Sequence, residues 1–510
     1  MPTRTDTLPA SGQARWLRLA TAFGLGAVVA IGQAPWGAWW AALPALSGLI
    51  WLLSQRKAGA FWLGLAAGTG HFAVALSWIV EPFLVDATAN GWMAPFAVVL
   101  MSGGLALFWG AAAGIAARLP QPTLGFVATF TATEALRGVV LTGFPWAMVG
   151  HIWIGTPVDQ LAAVAGPLGL TLLTLTLAAM PVLWRFAGGI AAVMLLVGVA
   201  GLGLWRLAPP LPPGPDGTLR LVQPNAEQAL KWDADLAEVF LGRLLSLTAE
   251  GTPADLTIWP ETAVPYMLEY APSVAGMITD ASGGRPVAVG IQSEAEGRFY
   301  NSLRVLEGDG REIASYQKHQ LVPFGEYMPL GDLAYRWFGI TAFAAQVGNS
   351  YSAGPGPRVL DLGEMGKVLP LICYEAVFPR LVNAAPERAD WMLQITNDAW
   401  FGLWTGPFQH LAQARLRAVE QGLPLIRVAN TGVTAVIDAR GRVVEELPFG
   451  TMAALDTRVP GALPPTPYTW WGDVPVWLLL TFLAALAFRR PSRPAPPTAS
   501  PPIDGFVTRV

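Results

Sequence analysis

The sequence predicts a two-part protein: a membrane α-helical bundle joined to a water-facing α/β domain. Three observations predict it. Charge is unevenly spread, with 15 Asp, Glu, Lys or Arg in residues 1–217 and 46 in the 241 positions of 218–458. Apolar runs of about 20 residues, enough to cross a bilayer, fill the first part. In the second part short apolar runs alternate with helical patterns, the signature of a layered α/β domain. Charged residues make up 13% of the chain, against about 25% in ordinary soluble proteins. That excludes disorder, a nucleic-acid binder and a single soluble domain. A net charge of −3 implies no polyanionic partner. Cys373 is the one cysteine, so an internal disulfide framework and a multi-Cys zinc site are excluded.

Eight spans are expected, near Leu17–Trp36, Trp39–Leu53, Ala58–Val80, Trp92–Ala117, Thr123–Val140, Val158–Leu183, Gly188–Leu207 and Trp470–Phe488. The first has Arg15 and Arg18 ahead of it, like a signal peptide, but a second span follows almost at once and argues for a retained anchor. Arg4, Arg15, Arg18, Arg56, Lys57, Arg118, Arg185, Arg489, Arg490 and Arg493 all fall on one side of an eight-span arrangement. By the positive-inside rule both termini are cytoplasmic and the 218–458 block lies on the far side. The expected domains are seven helices over 1–207, a Pro-rich linker at 208–218, a catalytic domain at 219–458, a linker and eighth helix at 459–488, and a Pro-rich tail at 489–510.

Within the outer block, Leu219–Val222, Leu256–Trp259, Val287–Ile291, Ser302–Leu306, Lys367–Cys373, Trp391–Ile395, Leu425–Val428 and Val433–Asp438 read as strands. Glu227–Ala249 reads as a helix with Leu236, Val239, Phe240, Leu244 and Leu247 on one buried face. Phe378–Ala385 and Gln409–Gln421 are further helical patterns. No internal repeat is visible.

Three stretches place a reactive residue at or just past a strand end: Ile258-Trp259-Pro260-Glu261, Tyr316-Gln317-Lys318 and Leu371-Ile372-Cys373-Tyr374-Glu375. Strand ends of α/β sheets are where functional groups collect. A thiol near a lysine and a carboxylate is a workable nucleophile, the lysine favouring thiolate and the carboxylate taking the proton. Taken singly, each has the bland reading as the commoner one: Cys373 as a small buried hydrophobe, Glu261 as a solvated turn residue and Lys318 as a surface lysine.

Together the three stretches resemble the nitrilase superfamily, whose Glu–Lys–Cys triad occurs in this order. The segment Lys318-His319-Gln320-Leu321-Val322-Pro323-Phe324-Gly325-Glu326-Tyr327-Met328-Pro329 is similar to the lysine segment of the apolipoprotein N-acyltransferase family. Ile372-Cys373-Tyr374-Glu375 and Thr396-Asn397-Asp398-Ala399-Trp400-Phe401-Gly402 resemble its later motifs. In the membrane half, Glu134-Ala135-Leu136-Arg137-Gly138 and Gly143-Phe144-Pro145-Trp146 are similar to its signature there.

The resemblance implies an αββα nitrilase-like sandwich and transfer of an acyl chain from phospholipid to the N-terminal amine of a diacylglyceryl-cysteine lipoprotein, the last step of lipoprotein maturation. It implies Cys373 as nucleophile, Glu261 as general base and Lys318 as oxyanion stabiliser, with a backbone N–H near Tyr374. Glu326 and Glu375 would orient Lys318 and the substrate, and Trp232 resembles a position near the substrate. The expected partners are a phospholipid acyl donor (the sn-1 chain of phosphatidylethanolamine), a diacylglyceryl-modified apolipoprotein and the bilayer, without nucleic acid, cofactor or metal. A monomer in the bacterial inner membrane, with its catalytic domain in the periplasm, is expected.

Trp337, Phe338, Phe343, Trp400, Phe401 and Trp404 lie in apolar loops that serve either the core or a lipid chain. Glu134 and Arg137, at i and i+3 in an apolar span, form either a structural pair or a headgroup contact. His71, His151 and His410 are scattered, and Asn225, Asn301 and Asn397 read as turn or sheet-end residues. The rival activities are a membrane-anchored nitrilase-type amidase, which shares the triad, and a catalytically dead transporter or lipid-binding scaffold.

Overall fold

The computed structural model describes residues 12–55, 58–231, 233–329 and 350–490. Trp232, Trp337, Phe338 and Phe343 lie outside the described residues, as do Arg4, Arg56, Lys57 and Arg493.

The N-terminal part is helical: Gly12–Ala30, Trp39–Ser54, Ala60–Ala75, Ala94–Ala116, Pro122–Arg137 and Ala162–Leu207, with Val474–Phe488 joining them from the far end of the chain. Among the described residues two helical stretches, Ala87–Ala116 and Pro157–Leu207, are long and apolar enough to cross a membrane, and a third counts if Ala60–Ala75 and Ser77–Leu84, bent by 64°, form one span. The expected eight are not reached on length. Trp39–Ser54 and Val474–Phe488 have 16 and 15 residues, roughly 24 Å of helix against the ~30 Å of a hydrocarbon core.

Pro157–Leu207 is not one straight rod. Arg185 has φ 53° and ψ −127°. A Cβ on Gly188 would stand 1.9 Å from the Met180 carbonyl oxygen, although eight residues take up about 12 Å of straight helix. A Cβ on Gly203 would meet the Pro157 carbonyl oxygen at 1.8 Å. The chain therefore doubles back at Arg185.

Glu134 and Arg137 settle into a structural pair. Arg137 bonds both Glu134 oxygens, at 3.1 and 2.6 Å, and also donates to the carbonyls of Phe144 and Trp146 at 2.5 and 2.7 Å. With both side chains buried, the ion pair anchors the loop that faces the catalytic domain.

Among the described residues twelve strands build the outer domain: β1 Leu219–Gln223, β2 Leu256–Ile258, β3 Val287–Ala295, β4 Arg298–Leu306, β5 Glu312–Gln317, β6 Leu360–Asp361, β7 Lys367–Ile372, β8 Trp391–Thr396, β9 Leu425–Ala429, β10 Thr434–Ile437, β11 Val443–Leu447 and β12 Ala453–Thr457. They form two six-stranded sheets, ordered β12-β1-β2-β3-β4-β5 and β6-β7-β8-β9-β10-β11. Read in those directions both sheets run antiparallel, parallel, parallel, antiparallel, antiparallel. The domain is thus a topological duplication that leaves no repeat in the sequence.

Alternation along the strands divides the core. Leu219, Leu221, Leu256 and Ile258 share a cluster with Val368, Leu371 and Ile395 of the other sheet. Val222, Val287, Val289 and Ile291 instead pack with Leu241, Leu244 and Ile278 of the covering helices. The helix expected from Glu227 starts only at Ala234, because Asp233 caps it by accepting the Asp235 N–H. The segment before it is left free to cross the sandwich toward Glu261.

Candidate active site

Glu261 lies three residues past β2, Lys318 directly follows β5, and Cys373 directly follows β7. All three are buried, and the charges of Glu261 and Lys318 both act on the Cys373 thiol. Lys318 Nζ stands 2.9 Å from Glu326 Oε1 and 3.4 Å from Glu261 Oε1. Asn301, on the neighbouring β4, joins the two carboxylates by donating from Nδ2 to Glu261 at 2.7 Å and Glu326 at 3.0 Å. The second oxygens are held by backbone: Asn397 N–H donates to Glu261 Oε2 and Val322 N–H to Glu326 Oε2, each at 2.9 Å.

Burial alone would lower the Lys318 pKa, but Glu326 and then Glu261 raise it above the ordinary lysine value. The lysine stays cationic. The Cys373 thiol moves up, first by burial and then by the charge of Glu261, and Lys318 only partly offsets this. The thiolate expected from a nearby lysine is therefore not the resting form. A neutral thiol beside an ordered carboxylate needs its proton taken as it attacks.

Cys373 has φ 51°, a left-handed conformation that is costly for a residue with a Cβ. Its carbonyl is fixed from below. The Gln394 side-chain amide gives one hydrogen to Cys373 O and the other to His410 Nε2, both at 3.0 Å. His410 Nδ1 lies 2.9 Å from Asp398 Oδ1, and an ionised carboxylate only accepts, so the proton sits on Nδ1. Arg427 closes the network by donating to Asp398 and to Gln394 Oε1. Burial, then the Arg427 charge, holds His410 below the usual histidine range and hence neutral.

The remaining predicted residues divide. Glu326 bonds Lys318 directly. Glu375 does not: it accepts from the Tyr316 hydroxyl at 2.8 Å and from the N–H groups of His319, Gln320 and Ile372 at 2.8, 3.1 and 2.7 Å. It clamps the lysine segment to the cysteine turn through the backbone and makes no direct bond to Lys318. Tyr374 is the second residue of the helical turn Cys373–Val377, where an N–H has no partner within the turn. Its hydroxyl donates to Gly143 O of the membrane half at 3.4 Å. Trp232 lies outside the described residues. Phe401 is buried, while Leu403 and Trp404 are exposed.

Sequence reasoning missed Asn301, left as a sheet-end residue, and the His410–Asp398–Arg427–Gln394 network. It also missed Lys231, which is buried and donates to the Glu261 carbonyl at 3.3 Å and to Thr262 Oγ1 at 3.2 Å. Burial pulls Lys231 down to about 8, with Glu261 opposing. β4 itself carries Arg298, Ser302 and Arg304 beside Asn301, so the strand's composition did not mark Asn301 out.

An aromatic seam ties this floor to the membrane half. Trp146 packs against Trp78 with ring centroids 4.8 Å apart and planes tilted by 44°, approaches His410 at 5.7 Å between centroids, and donates from Nε1 to Gln409 at 2.7 Å. Phe401 fills the gap, 4.9 Å from Trp78 and 5.3 Å from His410.

The family model described as Apolipoprotein N-acyltransferase N-terminal domain matches residues 25–180, and the Carbon-nitrogen hydrolase model matches 218–461. An apolipoprotein N-acyltransferase of Caulobacter vibrioides is 40% identical, covering 93% of this chain and 95% of that protein. One from Allorhizobium ampelinum is 37% identical, covering 88% and 92%. Among solved structures, an amidase from Nesterenkonia sp. aligns at 18% identity and a TM-score of 0.37, over 53% of this chain and 99% of that one.

Proposed function

The chain belongs to the apolipoprotein N-acyltransferase family, and from that premise we propose that it moves an acyl chain from the sn-1 position of a phospholipid such as phosphatidylethanolamine, through a thioester on Cys373, to the N-terminal amine of a diacylglyceryl-cysteine lipoprotein. The observation that carries this reading is the buried ammonium of Lys318 shared by two carboxylates beside a neutral thiol, within one hydrogen bond of the membrane half.

In the first half-reaction Glu261 takes the thiol proton as sulfur attacks the ester carbonyl. Lys318 and the Tyr374 N–H stabilise the oxyanion. The intermediate collapses to thioester, and the departing lysophospholipid oxygen takes the proton back from Glu261. In the second half-reaction the amine attacks the thioester and gives its proton to Glu261; amide forms, and the leaving sulfur recovers a proton. Splitting the transfer makes the kinetics ping-pong. Glu326 keeps Lys318 charged and in place throughout.

Seven helices over 1–207, the linker 208–218, the catalytic domain 219–458 and an eighth helix within 459–488 complete the reading, as a monomer in the inner membrane with the catalytic domain in the periplasm. Support comes from the one-sided basic residues, the reversal at Arg185 and the contact of Tyr374 with the membrane half.

The test is intact mass after incubation with phosphatidylethanolamine, for wild type and Cys373→Ala, followed by a diacylglyceryl-cysteine peptide. An acyl-sized adduct on wild type alone, discharged onto the peptide amine, is expected. An adduct that decays equally fast without peptide would mean a hydrolase, and no adduct at all would remove Cys373 as nucleophile.

A further inference from the structure

A cavity of about 590 Å³ opens where the catalytic domain meets the membrane half, lined by Thr142, His319, Gln320, Tyr351 and Arg380 among others. Its inner end borders the reaction centre, where Tyr351 N–H donates to the Glu326 carbonyl at 2.8 Å. Tyr351 is buried and feels the charges of Glu326 and Glu261, and His319 and Gln320 directly follow Lys318. Its outer end lies beside lipid-compatible surface: Thr142 follows Leu141, which is 92% exposed, and Val139 and Val140 stand exposed next to it. Exposed apolar residues on a loop of a membrane protein belong in the interfacial layer, with neighbouring polar groups at headgroup level.

Two donors converge at that level. Arg380 Nη2 and Gln320 Nε2 both donate to the Thr142 carbonyl, at 3.2 and 3.4 Å, long bonds that are readily exchanged. Among the described residues no carboxylate is paired with Arg380, whose guanidinium lies 5.8 Å over the Phe378 ring. A guanidinium fork without a carboxylate, at the mouth of a cavity leading to an esterase-like thiol, matches a phosphodiester bidentately.

We propose that this cavity is the phosphodiester subsite for the acyl donor, with Arg380 as its phosphate-binding residue and Gln320 as the second donor. The proposal rests on the acyl-transfer reading above. The sn-1 ester and the phosphate hang on one glycerol, so an ester placed at Cys373 carries its phosphate into the adjoining cavity. The acceptor has its diacylglyceryl group on sulfur and no phosphate. Arg380 therefore serves only the first half-reaction, and it gives a thiol that must receive two different lipids in turn a means of telling them apart.

The experiment measures kcat/KM separately for phosphatidylethanolamine and for a diacylglyceryl-cysteine peptide, using the full chain, Arg380→Gln and Arg380→Lys. In a ping-pong reaction each value reports its own half. Arg380→Gln is expected to lower the donor value about tenfold to hundredfold, the worth of a charge-assisted hydrogen bond, and the acceptor value by less than about twofold. Arg380→Lys should lose less, because it keeps the charge. An unchanged donor value, or equal losses in both halves, overturns the assignment. In a second arm, sn-glycero-3-phosphoethanolamine is expected to compete with thioester formation; inorganic phosphate competing equally well would mark a free-anion site and overturn it. Wild type that shows no phospholipid turnover fails the acyl-transfer reading itself, before any Arg380 variant is compared.

Discussion

Glu326 holds the ammonium of Lys318 at 2.9 Å, closer than the carboxylate assigned as base, and both side chains are buried. Removing that partner changes what the base experiences. In Glu326→Gln, Lys318 has only Glu261 to pair with, and a base locked to a cation is a poorer proton acceptor. We expect thioester formation to slow about hundredfold, the usual scale of general-base contributions, with little change in KM. A time course of intact mass with phosphatidylethanolamine checks this; a rate within threefold or so of wild type would make Glu326 dispensable.

The thiol's upward shift predicts its reactivity with pH. Because burial and Glu261 raise it above an ordinary cysteine, the thiolate fraction keeps growing through the alkaline range. Alkylation of Cys373 by a small iodoacetamide should therefore accelerate up to pH 9 without a plateau. Lys318→Met removes a cation that favours the thiolate and should slow it further at every pH. A plateau near neutrality would mean a preformed thiolate.

Lys231 carries a pH signature in stability. Its folded value of about 8 lies below the lysine norm of 10.5, so between those values the unfolded chain binds more protons and stability rises with pH. The charged form below pH 8 costs the fold about 3 kcal/mol on this basis. The Tm difference between wild type and Lys231→Met should grow in favour of wild type from pH 8 to 10. A pH-independent difference would show that Lys231 titrates normally.

The Glu134–Arg137 pair should behave as a buried ion pair whose halves cannot be lost separately. Arg137→Met alone leaves a carboxylate unpaired in an apolar span, at about 3–5 kcal/mol. The double change Glu134→Leu with Arg137→Met should be milder in thermal stability in detergent. It should still impair thioester formation, since the carbonyls of Phe144 and Trp146 lose their anchor. A double variant less stable than the single one would refute the pairing argument.

The parts of the fold legible in the sequence were those with strong apolar contrast. β3, β7, β8 and β9 are compact apolar runs and are fully or largely buried. By contrast β11, with Glu445 and Glu446, and β12 are partly exposed and have no such run, so pairing with β10 and β1 defines them instead. Glu261 and Cys373 were singled out because each follows a legible apolar strand, whereas Lys318 follows the partly exposed β5 and was singled out by its motif. Asn301 and His410 were not, because hydrogen bonds reaching from Asn301 to Glu326 and from His410 to Asp398 are set by tertiary folding. Length alone does not identify all eight expected spans, because helices of 15 and 16 residues do not pass a length test, whereas the reversal at Arg185 falls between the spans expected at Val158–Leu183 and Gly188–Leu207.

The aromatic seam of Trp78, Trp146, Phe401 and His410 has a consequence for how the protein can be divided. Two of the seam's four rings, Trp78 and Trp146, are encoded far upstream of the hydrolase-like module. Cut loose at residue 219, that module would present a bare hydrophobic scar where Trp146 had rested, with His410 exposed at its centre. The two parts cannot be exchanged like beads on a string; any graft of this outer module onto a foreign anchor has to carry the tryptophan loop along with it.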